Sequence, residues 1–344
     1  MLSDLRLARV LADATPFALP LAVRFRGVEV REGVLLRGPS GWGEFAPFPE
    51  YDDVTASRWL ACAVEAAYGQ WPTARRSSVP VNAIVPAVPA QQAAALTYRA
   101  WVSDGCSTIK VKVAEKGQTL DDDIDRVSAV RAALSAASAY EPRIRIDANG
   151  AWSVHAAVSA IRELDQAAGG LEYVDQPCAT MTELAAVRAR VSVPVAADES
   201  IRTAADPILA ARTGAADIVV IKVAPLCGVT LALEVAAAAG VPVVVSGAMD
   251  SSVGLAGGLA AAAALERLPY ACGLGTGALF AEDLIAEPLR PRGGTLPVVR
   301  TEPDPAALER AIARVAPARR DWWLARLERA WFAGADVLVG ALVS

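Results

Sequence analysis

From about Ser107 onward, short branched-aliphatic runs alternate with alanine-rich stretches. This alternation is typical of repeated βα units around a parallel sheet. The sequence predicts strands at 81–85, 108–113, 143–147, 171–175, 193–198, 218–222, 241–246 and, most weakly, 271–274. It predicts helices between them at 121–134, 153–165, 181–191, 204–213, 229–238 and 254–266. The expected fold is α/β, a (β/α) barrel of modified TIM type with seven to eight parallel strands.

An open, doubly wound sheet is the alternative to a barrel. Nucleotide-binding sheets of that kind carry a GxGxxG or Walker motif after an early strand. The sequence shows neither motif in that position, which favours the barrel.

The N-terminal part of the chain has a different pattern. In residues 23–37, apolar residues alternate with charged ones and turns are expected at Gly27 and Gly33, as in antiparallel strands. A helix is expected near 56–68. Between them, residues 41–51 are rich in aromatic residues and turn formers, so they form either a loop that closes over a ligand or an ordinary hydrophobic connection.

These patterns predict three parts of the chain. Residues 1–80 form an α+β capping domain, residues 81–300 form the catalytic barrel, and residues 301–344 return to the cap as two helices.

Composition excludes several classes of partner. A net charge of -5 and a pI near 5.2 give no basic surface for nucleic acid. The apolar tail, residues 322–344, is interrupted by charged residues, so no membrane span is expected. Five dispersed cysteines form neither a zinc motif nor a disulfide framework, and the N-terminus lacks the pattern of a secretory signal. We therefore expect a cytoplasmic protein.

Lysine is rare in this chain and occurs only at Lys110, Lys112, Lys116 and Lys222. Arginine serves a solvated surface equally well but does not lose its proton in proteins, so a chemical step that needs a neutral amine must use lysine. Three of the four lysines lie in runs that read as buried strands, whereas Lys116 is expected to be solvated. The buried lysines are therefore candidates for catalysis.

Acidic residues end three consecutive predicted strands, at Asp147, Asp175 and Asp198. The carboxyl ends of barrel strands share one mouth, where the active sites of such barrels form. Three close carboxylates repel each other unless a cation neutralises them, and all-oxygen ligands suit Mg²⁺ or Mn²⁺. The sequence therefore predicts a divalent metal site, although each acid taken alone is also a possible helix N-cap.

Two lysines flank these carboxylates in strand order. Lys112 ends the preceding strand and Lys222 ends the following one, so the two amines should face each other across the metal. Lys110 points to the same face of the strand as Lys112, and its charge is expected to lower the pKa of the Lys112 amine. This arrangement suits removal of a proton α to a carboxylate. The only histidine, His155, begins a helix and is expected at the surface.

Five motifs occur in this strand order: Lys110-Val111-Lys112, Asp147-Ala148-Asn149-Gly150, Asp175-Gln176-Pro177, Asp198-Glu199-Ser200 and Lys222. Together they resemble the enolase superfamily in its muconate-lactonizing branch. The runs 41–51, 221–226 and 246–255 are most similar to the menaquinone-pathway dehydratases of that branch.

The resemblance implies syn loss of water from 2-succinyl-6-hydroxy-2,4-cyclohexadiene-1-carboxylate, a small-molecule carboxylate. Asp147, Asp175 and Asp198 would hold Mg²⁺, with Lys112 as the base and Lys222 on the opposite face. The candidate supporting or substrate-binding residues are Lys110, Asn149, Glu199, Ser251, Ser252, Gly275 and Gly277.

One position departs from the family pattern, because Asp175 stands where glutamate is usual. Either the metal shifts toward this strand, or a water completes the contact, or Glu172 takes over. Three other functions stay open: an N-acylamino acid racemase or dipeptide epimerase, a lactonising cycloisomerase, and a non-catalytic barrel that binds a small acid.

Overall fold

The computed structural model describes residues 6–25 and 27–341. Its N-terminal part is a three-stranded antiparallel sheet flanked by helices. The elements are α1 Leu7–Ala12, β1 Ala14–Phe25, β2 Val28–Gly38, β3 Gly41–Phe45 and α2 Asp53–Tyr68. The expected antiparallel strands and the following helix are confirmed. The aromatic run is half strand, since β3 occupies its first five residues and only its second half is a loop.

A turn at Gly33 is the wrong prediction for this region. Gly33 lies inside β2 and pairs with Phe17, whereas the turn contains Gly27, which has a φ of +78°. A Cβ on Gly33 would lie 2.7 Å from the Cβ of Ala46 and 3.0 Å from the ring of Phe17. The glycine is thus required by close packing within a strand.

The central part of the chain contains eight further strands: β4 Ser78–Pro80, β5 Ala83–Val85, β6 Thr108–Lys112, β7 Arg143–Asp147, β8 Tyr173–Asp175, β9 Val195–Ala197, β10 Ile218–Ile221 and β11 Val243–Val245. Strands β5 to β11 form one parallel sheet of seven strands, in sequence order. Several strands begin later than predicted. Because proline lacks a backbone N–H, β9 and β11 begin after Pro194 and Pro242.

The predicted eighth strand at 271–274 is absent as a strand but closes the sheet. Cys272 forms a parallel bridge with Val81, and Gly273 forms another with Ser246. The amide of Asn82 donates to the carbonyl oxygen of Cys272 at 2.9 Å. Two residues therefore join both edges of the sheet, and the expected barrel of seven to eight strands is confirmed.

Helices cover the outside of this barrel: α3 Ala90–Val102, α4 Leu120–Ala136, α5 Val154–Ala168, α6 Met181–Arg188, α7 Glu199–Arg202, α8 Pro207–Ala211, α9 Val229–Ala238 and α10 Ser252–Ala264. Helix α9 matches its predicted bounds. The helix predicted at 204–213 is shorter because Asp206 caps it and Pro207 occupies its first turn. Helix α10 begins early, since the hydroxyl of Ser251 accepts from the amide of Val253.

A 3₁₀ turn Gly275–Leu279 and β12 Thr295–Pro297 follow the barrel strands. The C-terminal segment then contains α11 Pro305–Ala313, α12 Pro317–Ala330, a π turn Trp331–Ala335 and α13 Asp336–Ala341. Helix α11 packs on β1 and α12 packs on α2. The described part of the apolar tail is helical.

The five cysteines are all buried thiols. Among residues 6–25 and 27–341, no helix has the length and apolar character needed to cross a membrane. The proposed limits of the cap and barrel at residues 80 and 300 stay a prediction.

The contact between β3 and α2 leads to a test of stability. A Cβ on Gly43 would lie 1.9 Å from the backbone oxygen of Ala63, so the strand and the helix must separate in Gly43→Ala. We expect this variant to lose about 1 to 3 kcal/mol of unfolding free energy, as overpacked cores do. Urea denaturation measures the loss. The control is Gly340→Ala, where no atom lies within 4 Å, and an equal stability of the two variants would contradict the prediction.

Candidate active site

The carboxyl ends of neighbouring strands bring the predicted charged residues together. In the register of β6, β7 and β8, Lys112 lies opposite Asp147, and Asp147 lies opposite Asp175. Asp198 follows β9 directly and Lys222 follows β10 directly. All five side chains are buried, although each is charged at neutral pH in its ordinary state. The barrel therefore collects them at one mouth.

Lys112 is held by an acid and an amide. Its Nζ donates to Oδ2 of Asp147 at 2.6 Å and to Oδ1 of Asn149 at 2.7 Å. The ring of Phe25 from the cap strand lies 5.6 Å from the same Nζ. Asn149 has a φ of +47°, a conformation that few residues other than glycine adopt, so its side chain is aimed by a strained turn.

The other two buried lysines also contact the aspartates. Lys110 lies two residues before Lys112 on β6 and therefore deeper in the barrel. Its Nζ lies 2.8 Å from Oδ2 of Asp147 and contacts Oδ2 of Asp175. Lys222 donates to Oδ2 of Asp198. Each aspartate thus has at least one ammonium partner.

Burial and neighbouring charges give these amines different proton affinities. Burial lowers the pKa of Lys112, and the nearby ammonium of Lys110 lowers it further, while Asp147 opposes the shift. For Lys110 burial acts in the same direction, but Asp147 and Asp175 outweigh it and raise its pKa well above the usual value. Of this pair, Lys112 is the amine that loses its proton more easily.

The aspartates are also unequal. Burial, together with the charges of Asp147 and Asp198, raises the pKa of Asp175 to about 7 even though Lys110 is in contact. Burial opposes ionisation of Asp198 too, but Lys222 and Arg202 lower its pKa to about 2. Asp175 is therefore the carboxylate that most needs additional positive charge.

The chemistry of the oxygen atoms fits a hard divalent cation. Among the described residues, three buried carboxylate oxygens lack a hydrogen-bond donor: Oδ1 of Asp175, Oδ1 of Asp198 and Oε2 of Glu199. Within the described residues, no three His, Cys, Asp or Glu side chains converge on a common point suitable for a metal. The physical reason is that the lysine amines separate the carboxylates, so metal binding requires these ion pairs to rearrange.

A cavity of about 620 Å³, counting the space open to solvent, lies above these charges. The cap contributes Phe25, Phe48 and Trp59, and the barrel contributes its loops. The remaining lining residues are Asn82, Ile84, Lys110, Lys112, Asp147, Asn149, Arg202, Lys222, Pro225, Ser246, Gly247, Ala248, Met249, Gly273 and Thr276. Its mixed apolar and charged walls suit a small organic anion.

Five of the seven candidate supporting or substrate-binding residues do not line this cavity: Glu199, Ser251, Ser252, Gly275 and Gly277. Ser251 is fully buried and its hydroxyl donates to Glu44 of the cap, while Ser252 donates to Asp283 at 2.6 Å. Gly275 and Gly277 lie in the 3₁₀ turn, where a Cβ would lie 2.4 Å and 2.7 Å from backbone oxygens. A role of these residues in substrate binding stays a prediction, and in the structure the hydroxyls of Ser251 and Ser252 join α10 to neighbouring segments.

Two residues that the sequence analysis did not single out shape the site. The side-chain oxygen of Gln176 accepts hydrogen bonds from the backbone amides of Asp198 and Ser200, at 2.9 and 3.2 Å. These two hydrogen bonds fix the turn after β9. Arg202 lies 3.3 Å from Asp198 and donates to Glu199 at 2.7 Å. Its position four residues after Asp198 was the available signal, because such residues share one side of a helix.

Glu172 does not replace Asp175. Its carboxylate accepts from Nε of Arg145, inside the barrel and below the mouth. Of the three explanations for the shorter aspartate, the one that uses Glu172 is therefore overturned.

Comparison with known proteins defines the class. Residues 92–303 match the model described as enolase C-terminal domain-like, and residues 17–67 match the enolase N-terminal domain-like model. The chain belongs to the enolase superfamily, as its five motifs indicated. Members of this superfamily depend on a divalent metal ion.

The particular relatives are more specific. The chain is 54% identical over 311 residues to the o-succinylbenzoate synthase of Mycobacterium ulcerans (strain Agy99), covering 90% of this chain and 91% of that protein. The o-succinylbenzoate synthase of Mycobacterium tuberculosis (strain ATCC 25618 / H37Rv) has the same identity and coverage.

Solved structures support the fold. The muconate lactonizing enzyme from Pseudomonas fluorescens, complexed with muconolactone, has a TM-score of 0.74 at 20% identity, covering 87% of this chain and 97% of that one. The L-Ala-D/L-Glu epimerase from Bacillus subtilis has a TM-score of 0.70 at 22% identity, covering 84% and 96%. Both likenesses concern the barrel and its cap, which different reactions share.

The contacts of Ser252 lead to a prediction. The Ser252 hydroxyl donates to Asp283 and accepts from the amide of Leu289 at 2.9 Å. Ser252→Ala therefore leaves this buried amide without its partner and removes one of the donors to Asp283. We expect a loss of about 1 to 3 kcal/mol in unfolding free energy. The exposed Ser128→Ala is the control. A substrate-contacting role would instead raise KM at unchanged stability, and steady-state kinetics beside urea denaturation separates the two results.

Proposed function

We propose that this chain is an o-succinylbenzoate synthase, a hydro-lyase of menaquinone biosynthesis. Its reaction removes water from 2-succinyl-6-hydroxy-2,4-cyclohexadiene-1-carboxylate and gives 2-succinylbenzoate. The observation that carries the proposal is the charged mouth, where the ends of five consecutive strands, β6 to β10, supply a lysine, three aspartates and a second lysine. Lys112, Asp147 and Lys222 of this set line the cavity, and Asp175 and Asp198 are buried beside them. The identity of 54% to curated synthases over 90% of the chain supports the specific substrate.

Asp147, Asp175 and Asp198 are the proposed ligands of Mg²⁺, with Mn²⁺ as the substitute. When bound, the ion supplies positive charge to the substrate carboxylate, which makes the neighbouring C–H more acidic. Release of Lys110 and Lys222 from these aspartates accompanies binding, and the oxygens of Asp175 and Asp198 that accept no hydrogen bond support this assignment.

Lys112 is the proposed base. Its lowered pKa favours the neutral amine, and Asn149 orients Nζ by a hydrogen bond of 2.7 Å. The amine takes the α proton from carbon, and the resulting ammonium gives a proton to the departing hydroxyl on the same face. The C–H and C–O bonds break, one water leaves, and the ring becomes aromatic, so atoms and charge balance without another reactant.

Lys222 is the proposed electrostatic partner. It lines the cavity and follows β10, which lies four strands along the sheet from β6 with Lys112, so its ammonium would lie toward the other face of the substrate ring. A cation at this place stabilises the negative charge that develops as the proton leaves, and it also attracts the π face of the ring. We propose that Lys110, Asn149 and Glu199 support the catalytic lysines and metal ligands.

The second candidate function is racemisation of N-acylamino acids. Lys112 and Lys222 both line the cavity and come from strands four positions apart in the sheet, which favours it, because a racemase needs one base on each face of a stereocentre. Both reactions begin with loss of an α proton. The choice between them is therefore decided by turnover with each substrate and not by the presence of the lysines.

Replacement of the base tests the synthase mechanism. Lys112→Arg keeps a positive charge but removes the group that can become neutral, so kcat should fall by about 10² to 10⁴-fold. The loss of absorbance of the cyclohexadiene acid measures the rate, and Lys116→Arg at an exposed position is the matched control. Weak turnover of this acid by the wild type, beside strong racemisation of N-succinyl amino acids, would reject the synthase.

Removal of the metal tests the assignment of the aspartates. A chelator should abolish turnover, and added Mg²⁺ should restore it. Asp198→Asn should weaken Mg²⁺ binding by at least about tenfold, because it removes a ligand charge. Calorimetry gives the dissociation constants. Turnover that survives chelation would contradict the mechanism, and a wild type without metal binding or turnover would favour a barrel that only binds a small acid.

A further inference from the structure

The loop between β3 and α2, residues 46–52, forms one wall of the cavity and is called the cap loop here. It carries Phe48 into the cavity and ends near Tyr51. Its backbone is held by Arg326 of α12, a buried residue that donates to the carbonyl oxygens of Phe48 at 3.1 Å, Pro49 at 3.0 Å and Tyr51 at 2.6 Å. The C-terminal helix therefore fixes the shape of this loop.

Tyr51 connects the cap loop to the barrel. Its phenol oxygen accepts a hydrogen bond of 2.9 Å from Nη1 of Arg202. Arg58 of α2 adds a second link, since it donates to the carbonyl oxygens of Arg202 at 3.3 Å and Ala204 at 3.0 Å. The cap thus contacts both the side chain and the backbone of the segment that follows Asp198.

Arg202 lines the cavity, but its guanidinium is directed toward protein oxygens. Nη1 faces Tyr51, Nη2 donates to Glu199 at 2.7 Å, and Nε lies 3.3 Å from Oδ1 of Asp198. Only 6% of its side chain is exposed. The guanidinium therefore makes two hydrogen bonds, to Tyr51 and Glu199, and an ion pair without a hydrogen bond to Asp198, which together link both acids to the cap.

We infer that Arg202 is a positioning residue that couples the cap loop, through Tyr51, to the proposed metal ligand Asp198 and its neighbour Glu199. The inference rests on the proposed metal site. Asp198 then keeps the orientation needed for the ion only while the cap is docked on the barrel. Closure of the cavity and completion of the metal site become one event.

The test compares the affinity for Mg²⁺ without substrate, measured by calorimetry, in single and double variants. Tyr51→Phe removes one hydroxyl and should weaken Mg²⁺ binding by roughly threefold to tenfold, the range that one net hydrogen bond gives. Tyr68→Phe is the matched control, because the Tyr68 hydroxyl donates to Asp13 within the cap, at 2.8 Å. Its affinity should equal that of the wild type.

Arg202→Met should weaken Mg²⁺ binding by roughly 10 to 100-fold, as loss of a partner of a metal ligand does. Arg202→Lys should restore part of this loss, since one ammonium can contact Asp198. In the Arg202→Met background, Tyr51→Phe should cause no further change, because the coupling passes through the guanidinium. Thermal melts of all variants check that they remain folded.

Three results would overturn the inference: an equal Mg²⁺ affinity of Tyr51→Phe and Tyr68→Phe, additive effects in the double variant, or a change of substrate KM alone in Arg202→Lys. A wild type that binds Mg²⁺ but does not convert the cyclohexadiene acid would reject the proposed synthase. The Mg²⁺ affinities of the variants would still test the coupling between the cap loop and Asp198. A wild type that binds no divalent ion would overturn both.

Discussion

The burial of opposite charges at one end of the barrel is the constraint on which the rest of the structure depends. Four cations lie there, Lys110, Lys112, Lys222 and Arg202, and they contact four acids, Asp147, Asp175, Asp198 and Glu199. Each isolated charge would be costly to bury, and removal of one partner leaves another uncompensated. With each group in its ordinary charge state the four cations balance the four acids, which allows the cluster to lie beneath an apolar wall.

This neutrality has a consequence for the ligands. A divalent cation adds two positive charges to a balanced cluster, so a site of this kind favours a substrate that brings two negative charges. The cyclohexadiene acid with its succinyl arm has two carboxylates and meets this requirement. The mouth therefore favours joint binding of metal and dianion, and either one alone leaves excess charge in a poorly solvated space.

Much of the fold follows from local sequence. The bounds of β7 and α9 agree with the predictions because their ends carry clear signals, and the charged mouth follows from the rule that strand ends of a barrel meet. The errors have physical causes. Gly33 reads as a turn in sequence but is required by contact with Phe17 and Ala46, and residues 272–273 close the barrel with bridges too short to give a strand pattern.

Sequence predicted the active site in part as well. The sequence identified the charged residues in order, since each ends its own strand, but it could not show that Ser251 and Ser252 face Glu44 and Asp283. Such contacts join residues more than 30 positions apart and depend on how the cap docks. The role of Arg202 was hidden for the same reason, because its partner Tyr51 lies 151 positions away.

The same dependence on the cap bears on which reaction the barrel performs. Paired lysines and oxygen ligands suit any reaction that starts with loss of an α proton, so they do not distinguish dehydration from racemisation. The cavity walls from the cap, Phe25, Phe48 and Trp59, decide which substrate places its α carbon beside Lys112. Phe48 and Trp59 are also fixed by Arg31, whose guanidinium carbon lies 4.6 Å and 5.9 Å from their rings and which donates to the carbonyl oxygen of Met249 at 3.0 Å. A rigid aromatic wall tied to the barrel by buried arginines favours one flat ring over many flexible acyl chains, and this favours the synthase.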